Sequence, residues 1–161
     1  MIELADTPAN TALDIIRLGR KAYDEVWDRQ KRLVDERRLG TVPDTLILVE
    51  HDPVYTLGKN SNENHLLRSR DTKIPVYQIE RGGDVTFHGP GQLVGYPILD
   101  LHDHRLSVSW YIRTLEAVLI ETLGQFFIEA RRRAGLTGVW VGEEKIAALG
   151  VRLSRCVSMH G

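Results

Sequence analysis

The densest run of residues able to do chemistry lies mid-chain, where Arg81, Gly82, Gly83, Asp84, Val85, Thr86, Phe87 and His88 lead into Gly89-Pro90-Gly91-Gln92. Glycines let the main chain approach a ligand closely and turn N–H groups towards it, while Arg81, Thr86 and His88 add a fixed charge, a hydroxyl and an imidazole. This is a set for holding something. A polar hairpin turn is the alternative, but an ordinary hairpin needs only one glycine-type turn and has no use for the flanking Arg and His. The second candidate is Lys145. In a strand running from Lys145 to Leu153, the residues Lys145, Ala147, Leu149, Val151 and Leu153 share one face, which sets the ammonium in line with an apolar surface. Burial there would disfavour the charged form and fit the amine for proton transfer, whereas a side chain snorkelling out from the strand end is the plainer alternative. Ala147, Ala148 and Gly150 are small on both faces and leave room for the body of a ligand.

Two further groups carry less. His51 and Asp52 are neighbours, but adjacent strand residues point to opposite faces, so a polar turn is preferred to a catalytic pair. Cys156 is the single cysteine. It cannot form an internal disulfide, and no Cys/His cluster has zinc-ligand spacing, so no metal is expected.

These residues need elements to position them. Leu13 to Leu18 reads as a first strand closed by Gly19, followed by a helix from Arg20 to about Leu39 with Tyr23, Val26, Trp27, Gln30, Leu33 and Val34 at helical spacing and Gly40 as its stop. The aromatic stripe is expected in the core. Thr45 to Glu50 and Val54 to Gly58 read as paired strands, Lys59 to Lys73 as a polar loop, and Ile74 to Ile79 as the strand delivering the chain to Arg81. Val85 to Phe87 is a short extended piece between turns. Leu93 to Leu101 leaves as a strand that Pro97 assigns to an edge or bulge. Ser107 or Ser109 caps a second helix running to about Ala130, with Val108, Ile112, Leu115, Leu119, Thr122 or Leu123, and Phe126 on its apolar face and Arg131, Arg132 and Arg133 at its end. Val139-Trp140-Val141 and the Lys145 strand flank a Gly142-Glu143-Glu144 hairpin turn.

A chain of 161 residues, 42% apolar and 27% charged, with net charge −1, fits one globular domain and gives no electrostatic case for nucleic acid or an anionic membrane. No apolar run approaches the roughly 20 residues of a membrane span, and Met1 to Asp6 lacks a signal-peptide pattern. A cytoplasmic protein is expected.

The run Arg81 to Gln92, together with Gly138-Val-Trp-Val-Gly142, Lys145-Ile-Ala-Ala-Leu-Gly-Val-Arg152 and Met159-His-Gly161, closely resembles the lipoyl(octanoyl) transferase family. Glu50-His-Asp-Pro-Val-Tyr-Thr-Leu-Gly58 and the opening Leu18-Gly19 with its helix extend the resemblance over nearly the whole chain. It implies an α+β fold, a mixed sheet with flanking helices shared with biotin and lipoate protein ligases. It further implies transfer of an octanoyl group from acyl carrier protein to a lysine of lipoyl domains in 2-oxoacid dehydrogenase E2 subunits and the glycine cleavage H protein. No cofactor and no ATP would be needed, because the thioester donor is already activated, and a monomer is expected. By the same resemblance Lys145 is the catalytic lysine that activates a nucleophilic cysteine and takes the proton of the attacking amine. Arg81 to His88 would line the acyl and thioester site, Ala148, Leu149 and Gly150 a second acyl-contacting segment, and Gly161 would begin a third.

In the family the nucleophilic cysteine lies beyond the His-Gly motif, so the resemblance implies a single catalytic domain over residues 1–161 that lacks its C-terminal part. Cys156 precedes that motif where the family varies, and a lone cysteine most often behaves as a small buried hydrophobe. Two other functions compete: an ATP-dependent lipoate or biotin protein ligase on the same fold, and a non-catalytic acyl-binding module. The ligase usually reads Gly-Gly-Gly and then His-Asp where Arg81-Gly-Gly-Asp stands here.

Overall fold

The structure, a computed structural model, describes residues 12–62, 65 and 73–161. The opening Met1 to Asp6, and 63–64 and 66–72 of the expected polar loop, lie outside the described residues. The chain packs into two compact units: the residues up to His104 with Gly150–Gly161, and Arg105–Leu149. In chain order the first unit holds β1 (Leu13–Lys21), α1 (Tyr23–Arg38), β2 (Asp44–His51), β3 (Val54–Leu57), β4 (Val76–Gln78), β5 (Val85–His88), β6 (Val94–Ile98) and a 3-10 turn, Leu101–Asp103. The second holds α2 (Val108–Gly124), β7 (Val139–Val141) and β8 (Glu144–Ala147), and the chain returns to the first with β9 (Val151–Ser154) and β10 (Val157–His160). The expected α+β class, mixed β-structure with helices, is the one the chain adopts.

β2 is the centre of a three-stranded sheet, parallel to β1 and antiparallel to β6. Its alternation buries Thr45, Ile47, Val49 and His51 on one face. α1 covers the sheet with a stripe at three- and four-residue steps, Tyr23, Val26, Gln30, Val34 and Arg37. Val26 and Val34 meet Ile47, Val49, Val94, Tyr96, Ile98, Val157 and Met159 in the main core. α1 ends as the sequence indicates, with Gly40 N donating to Arg37 O at 3.1 Å and Thr41 N to Glu36 O at 3.0 Å. It begins three residues later than expected, because β1 runs through Gly19 to Lys21 with a shift of register between Arg17 and Arg20.

Other expectations fail. β2 and β3 are not partners: β3 lies parallel to β4 and antiparallel to β5 in a second sheet. The Asp52-Pro53 step is the reason, since it is no two-residue hairpin turn and proline fixes the chain where a reversal would need another angle. α2 stops at Gly124 rather than near Ala130. Its first turn is capped as foreseen by the Ser107 hydroxyl, which accepts from Trp110 N at 3.2 Å, but Phe127 takes φ +61° and closes the helix with Ile128 N donating to Leu123 O at 3.1 Å. Arg131 to Arg133 therefore do not cap it. Arg131 instead exchanges backbone hydrogen bonds of 2.8 Å with Trp140. Of the apolar face assigned to α2, Val108 and Phe126 are exposed, and the buried positions are Tyr111 and Glu116. Among the described residues no helix is long and apolar enough to cross a membrane.

β6 is an edge strand of its sheet, as Pro97 requires. The gap left by the proline is filled by a side chain. The buried Ser158 hydroxyl of β10 donates to Pro97 O at 2.8 Å and accepts from Leu99 N at 2.9 Å, while Ser158 N donates to Leu99 O at 2.9 Å. The last residue completes the approach: a Cβ on Gly161 would stand 1.7 Å from Gly95 O, so no side chain fits there.

The ends of α1, β2 and the 3-10 turn are tied by one carboxylate. Asp44, 2% exposed, accepts from Arg37 Nε at 2.7 Å and Asp100 N at 3.0 Å and lies 2.5 Å from His104 Nε2, while Arg37 also pairs with Asp103. Removing one member of such a buried set strands the others. Asp44→Ala is expected to lower stability by about 3 kcal/mol or more, against about 1 kcal/mol for an exposed pair such as Arg20 with Asp52, read from urea midpoints at pH 7.

Candidate active site

The turn entering β5 is built around the Arg81 side chain, which points into the first unit and is 6% exposed. Its Nη2 donates to Thr56 O and Thr56 Oγ1, both at 2.9 Å, and to Thr86 Oγ1 at 2.8 Å, and Nη1 donates to Gly82 O at 3.0 Å. Among the described residues no carboxylate pairs with it. Burial holds its pKa below the ordinary arginine value, with the fields of Tyr23, Tyr96 and Asp84 opposing. Thr56 and Thr86 face each other across β3 and β5, so one guanidinium clamps both strands and the turn. The turn is closed from the other side by Lys59 N donating to Arg81 O at 3.0 Å and Gly58 N to Asp84 O at 3.3 Å. Gly58 has no alternative, because a Cβ there would stand 2.2 Å from Gly83 O.

The rest of the run faces outward. Gly82, Gly83 and Asp84 are exposed, Val85, Thr86 and His88 half-buried, and Phe87 exposed with its ring 5.2 Å from Tyr55. Asp84 does not pair with Arg81. It accepts from Asn62 N at 3.3 Å and lies 2.5 Å from His65 Nδ1, and the bond to His65 is the main cause holding its carboxyl below the usual range.

His88 belongs to a buried aromatic and imidazole cluster that the sequence reading overlooked. Its Nδ1 lies 2.6 Å from Gln92 Oε1 and its Nε2 3.4 Å from Thr56 Oγ1, so the neutral ring donates to Gln92 and receives the threonine hydroxyl. Tyr23 stacks on it at 6.2 Å, and His51 lies edge-on at 5.9 Å. His51, fully buried, donates from Nδ1 to Lys21 O at 3.1 Å and accepts at Nε2 from the Tyr96 hydroxyl at 2.8 Å. The polar turn assigned to His51 is thus corrected: only Asp52 is turned out, where Arg20 meets it at 2.6 Å. The signal was in the sequence, since the alternation burying Thr45, Ile47 and Val49 carries on to residue 51. Burial is the first cause lowering the pKa of both imidazoles, and it raises those of Tyr23 and Tyr96.

Gly150 and Gly161 join the Arg81 turn. A Cβ on Gly150 would meet Arg81 Cδ and Gly82 O, each at 3.0 Å, while Gly82 N donates to Val151 O at 3.1 Å and Gly150 N to Gly161 O at 2.5 Å. Three separate backbone segments therefore close on one another within the first unit. His160 stands beside them, 1% exposed, with φ +62° and no hydrogen-bond partner for either ring nitrogen among the described residues. Its backbone N donates to Gln30 Oε1 at 3.1 Å.

Lys145 belongs with Ala148 and Leu149 to the second unit. The single strand expected from Lys145 to Leu153 is interrupted, β8 ending at Ala147 and β9 beginning at Val151, so the shared apolar face does not form. Lys145 is exposed instead of buried. It stands directly across the β7–β8 hairpin from Trp140, with Nζ 4.8 Å from that ring's centroid and donating to Thr137 O at 3.2 Å. Cys156 is half-buried in the two-residue turn joining β9 and β10, where Arg155 and Cys156 have φ of 48° and 67°. Its carbonyl accepts from Leu101 N at 3.0 Å. Among the described residues no group of three or more His, Cys, Asp and Glu side chains has metal-binding spacing.

The sequence profile of the lipoyl protein ligase A/B catalytic domain matches residues 22–161, and the chain belongs to that family. It is 51% identical over 148 residues to an octanoyltransferase of Gloeobacter violaceus, covering 91% of this chain and 66% of the relative. It is 50% identical to the octanoyltransferase of Synechococcus elongatus over 91% of this chain and 64% of the relative, and 52% identical to that of Solibacter usitatus over 90% and 68%. The chain thus spans about two thirds of the length of these curated relatives. The fold is that of a bi-partite lipoate protein ligase from Thermoplasma acidophilum, with TM-score 0.66 at 15% identity over 92% of this chain and 59% of the other. A lipoate-protein ligase A bound with ATP gives 0.63 at 14% identity over 92% and 64%.

The buried imidazoles make stability depend on pH with a definite sign. Burial lowers the pKa of His160 from 6.5 to about 4. The unfolded chain therefore binds a proton that the folded imidazole refuses, so stability is full above pH 6.5 and falls as the pH drops towards 4. The loss from this residue is about 3 kcal/mol by linkage, with His51 and His88 adding in the same direction. Urea unfolding across this range should show the fall, and His160→Gln should flatten it. A slope unchanged by that substitution would mean that His160 titrates freely in the folded protein.

Proposed function

We propose that the protein is an octanoyltransferase: it moves an octanoyl group from the thioester of acyl carrier protein to a lysine amine of lipoyl domains, those of 2-oxoacid dehydrogenase E2 subunits and the glycine cleavage H protein, in the cytoplasm. The observation carrying this reading is the closure of the Arg81 turn, Gly150 and Gly161 on one another, which makes a wall of backbone and small residues suited to an extended acyl chain. Identities near one half to octanoyltransferases support it. Residues Arg81 to His88 line the acyl and thioester site with Gly150 and Gly161, and Ala148 and Leu149, the residues just before Gly150 in the chain, are acyl-contacting residues as well. Arg81 acts there by holding the wall, since its guanidinium is already engaged by Thr56, Thr86 and Gly82.

The reaction has two balanced steps. A cysteine thiolate attacks the thioester carbonyl, and its new C–S bond forms as the bond to the carrier sulfur breaks and the departing thiolate takes a proton from the Lys145 ammonium. The acceptor amine then attacks the acyl-enzyme, an amide C–N bond forms, the enzyme thiolate departs, and Lys145 takes the proton shed by the amine. No ATP enters, because the carbonyl arrives activated. Backbone N–H groups of the glycine segments hold the oxyanion of each addition step.

In the full-length protein Lys145→Ala should fold normally and lose transfer by a factor on the order of 100 or more, the usual cost of a positioned proton-transfer group. A folded variant with near-normal turnover removes the assignment. Supplying octanoyl carrier protein without ATP, and separately free octanoate with ATP, distinguishes transfer from ligation, and binding of the acylated carrier without turnover would leave a non-catalytic acyl-binding module.

A further inference from the structure

Glu116 is the most deeply buried carboxylate of the second unit, with none of its surface exposed. An unpaired carboxylate cannot remain there, and this one is fully engaged. Its Oε2 accepts from Arg113 Nη1 at 2.8 Å and Arg132 Nε at 2.9 Å, and its Oε1 accepts from Gly138 N at 3.0 Å. Arg132 is fixed in turn by donating from Nη2 to Arg113 O at 2.8 Å. Burial pushes the Glu116 carboxyl up, but the Gly138 N–H and the two guanidiniums outweigh it and leave the pKa below the usual value.

The Gly138 N–H is one end of the Thr137–Gly138 peptide group. The other end is the Thr137 carbonyl, which accepts from Lys145 Nζ at 3.2 Å. One peptide unit therefore has a carboxylate at its N–H and an ammonium at its C=O, each at the pole that its charge favours. Both poles are fixed. Gly138 permits this arrangement, for its φ is +136° and a Cβ would stand 2.8 Å from Ala147 O and 3.1 Å from Lys145 Cε. On the strand after it, Trp140 supports the ammonium from below, and Arg133 lies over the same ring at 5.8 Å while pairing with Glu143.

We propose that Glu116 is a positioning residue for Lys145, acting through the Thr137–Gly138 peptide group to hold the ammonium at one point on the β7–β8 hairpin. The inference rests on the catalytic reading of Lys145. An exposed lysine on a four-carbon stem otherwise samples many rotamers, and transfer of a proton from the attacking amine needs one position. The salt-bridged Glu116 fixes the peptide, the peptide carbonyl fixes Nζ, and the hairpin register fixes the stem over Trp140.

The test uses the full-length protein and Glu116→Gln, which keeps an oxygen for the Gly138 N–H and removes the charge. Folding is checked by circular dichroism. kcat should fall roughly tenfold to a hundredfold with KM for octanoyl carrier protein within about twofold, since loss of positioning acts on the reacting step. A second readout needs no turnover: the rate at which acetic anhydride modifies Lys145 at one fixed pH, followed by peptide mass spectrometry with Lys21 and Lys31 as internal references. That rate should rise relative to the references in Glu116→Gln, because an Nζ no longer held at the Thr137 carbonyl is more open to the reagent. Should that variant fail to fold, Glu116→Asp carries the test, keeping the charge but falling a methylene short of Gly138, and should give an intermediate kcat. Unchanged kcat and an unchanged rate of Lys145 modification in a folded Glu116 variant overturn the inference while leaving the lysine assignment intact. Normal turnover by Lys145→Ala, in contrast, removes the lysine assignment and with it any part for Glu116 in catalysis.

Discussion

A guanidinium taken out of water must be met by oxygens on nearly every side, and the first unit is organised by how Arg81 meets that demand. No carboxylate neutralises it among the described residues, so the demand falls on the Thr56 carbonyl, two threonine hydroxyls and the Gly82 carbonyl. Hydrogen bonds to a charged donor are stronger than neutral ones, and four of them converge here. They fix the spacing of β3 and β5, and they draw the turn so close to Gly58 and Gly150 that neither position has free room for a side chain. Gly58 and Gly150 are in this sense consequences of the arginine. They are small because the main chain is packed around one buried charge.

The same constraint reaches the histidines. Thr56 Oγ1 receives Arg81 Nη2, which leaves its proton free for His88 Nε2, and His88 then gives its one ring proton, on Nδ1, to Gln92. Burial is the main cause lowering the pKa of His88, and the fields of His51 and Arg81 add to it, since a protonated ring would set two cations on one hydroxyl. His51 is neutral by a different route, with a backbone carbonyl at one nitrogen and the Tyr96 hydroxyl at the other. Tyr23 packs against both rings, and through it α1 is bound to the candidate site as well as to the core.

What could be read from the sequence followed the range of the forces involved. The α1 stripe and its Gly40 stop, the Ser107 cap, the Gly142 hairpin and the edge character of Pro97 are local, and each stands in the structure. The partner of a strand is not local. The Asp52-Pro53 step argues against a tight hairpin with β2, but nothing near Val54 announces that β3 will pair with residues beyond 75. The end of α2 was misplaced because the arginines after Ala130 looked like a helix terminus, whereas Phe127 in a left-handed conformation, which no propensity favours, ends it sooner. The residues of the candidate site were legible through their glycines. Their supports Thr56, Tyr96 and Glu116 were not, because a buried polar side chain is justified only by partners far away in the chain.

Lys145 shows how far a strand-parity argument carries. Parity gave its neighbours, and Trp140 does lie opposite it, but parity holds only while the strand stays regular. The pairing shifts between Val139 and Trp140, and the strand stops at Ala147. The lysine therefore emerges over an indole instead of beneath an apolar sheet. That changes the physical means by which the protein controls it. A buried amine is controlled by desolvation, which acts on its charge whatever its orientation. An exposed one keeps its hydration, and what the fold can still impose is position: a carbonyl to receive Nζ, a ring to bear the stem, and a second layer that keeps both still. The burial missing at Lys145 is found at Glu116, three hydrogen bonds deep, on the far side of one peptide group.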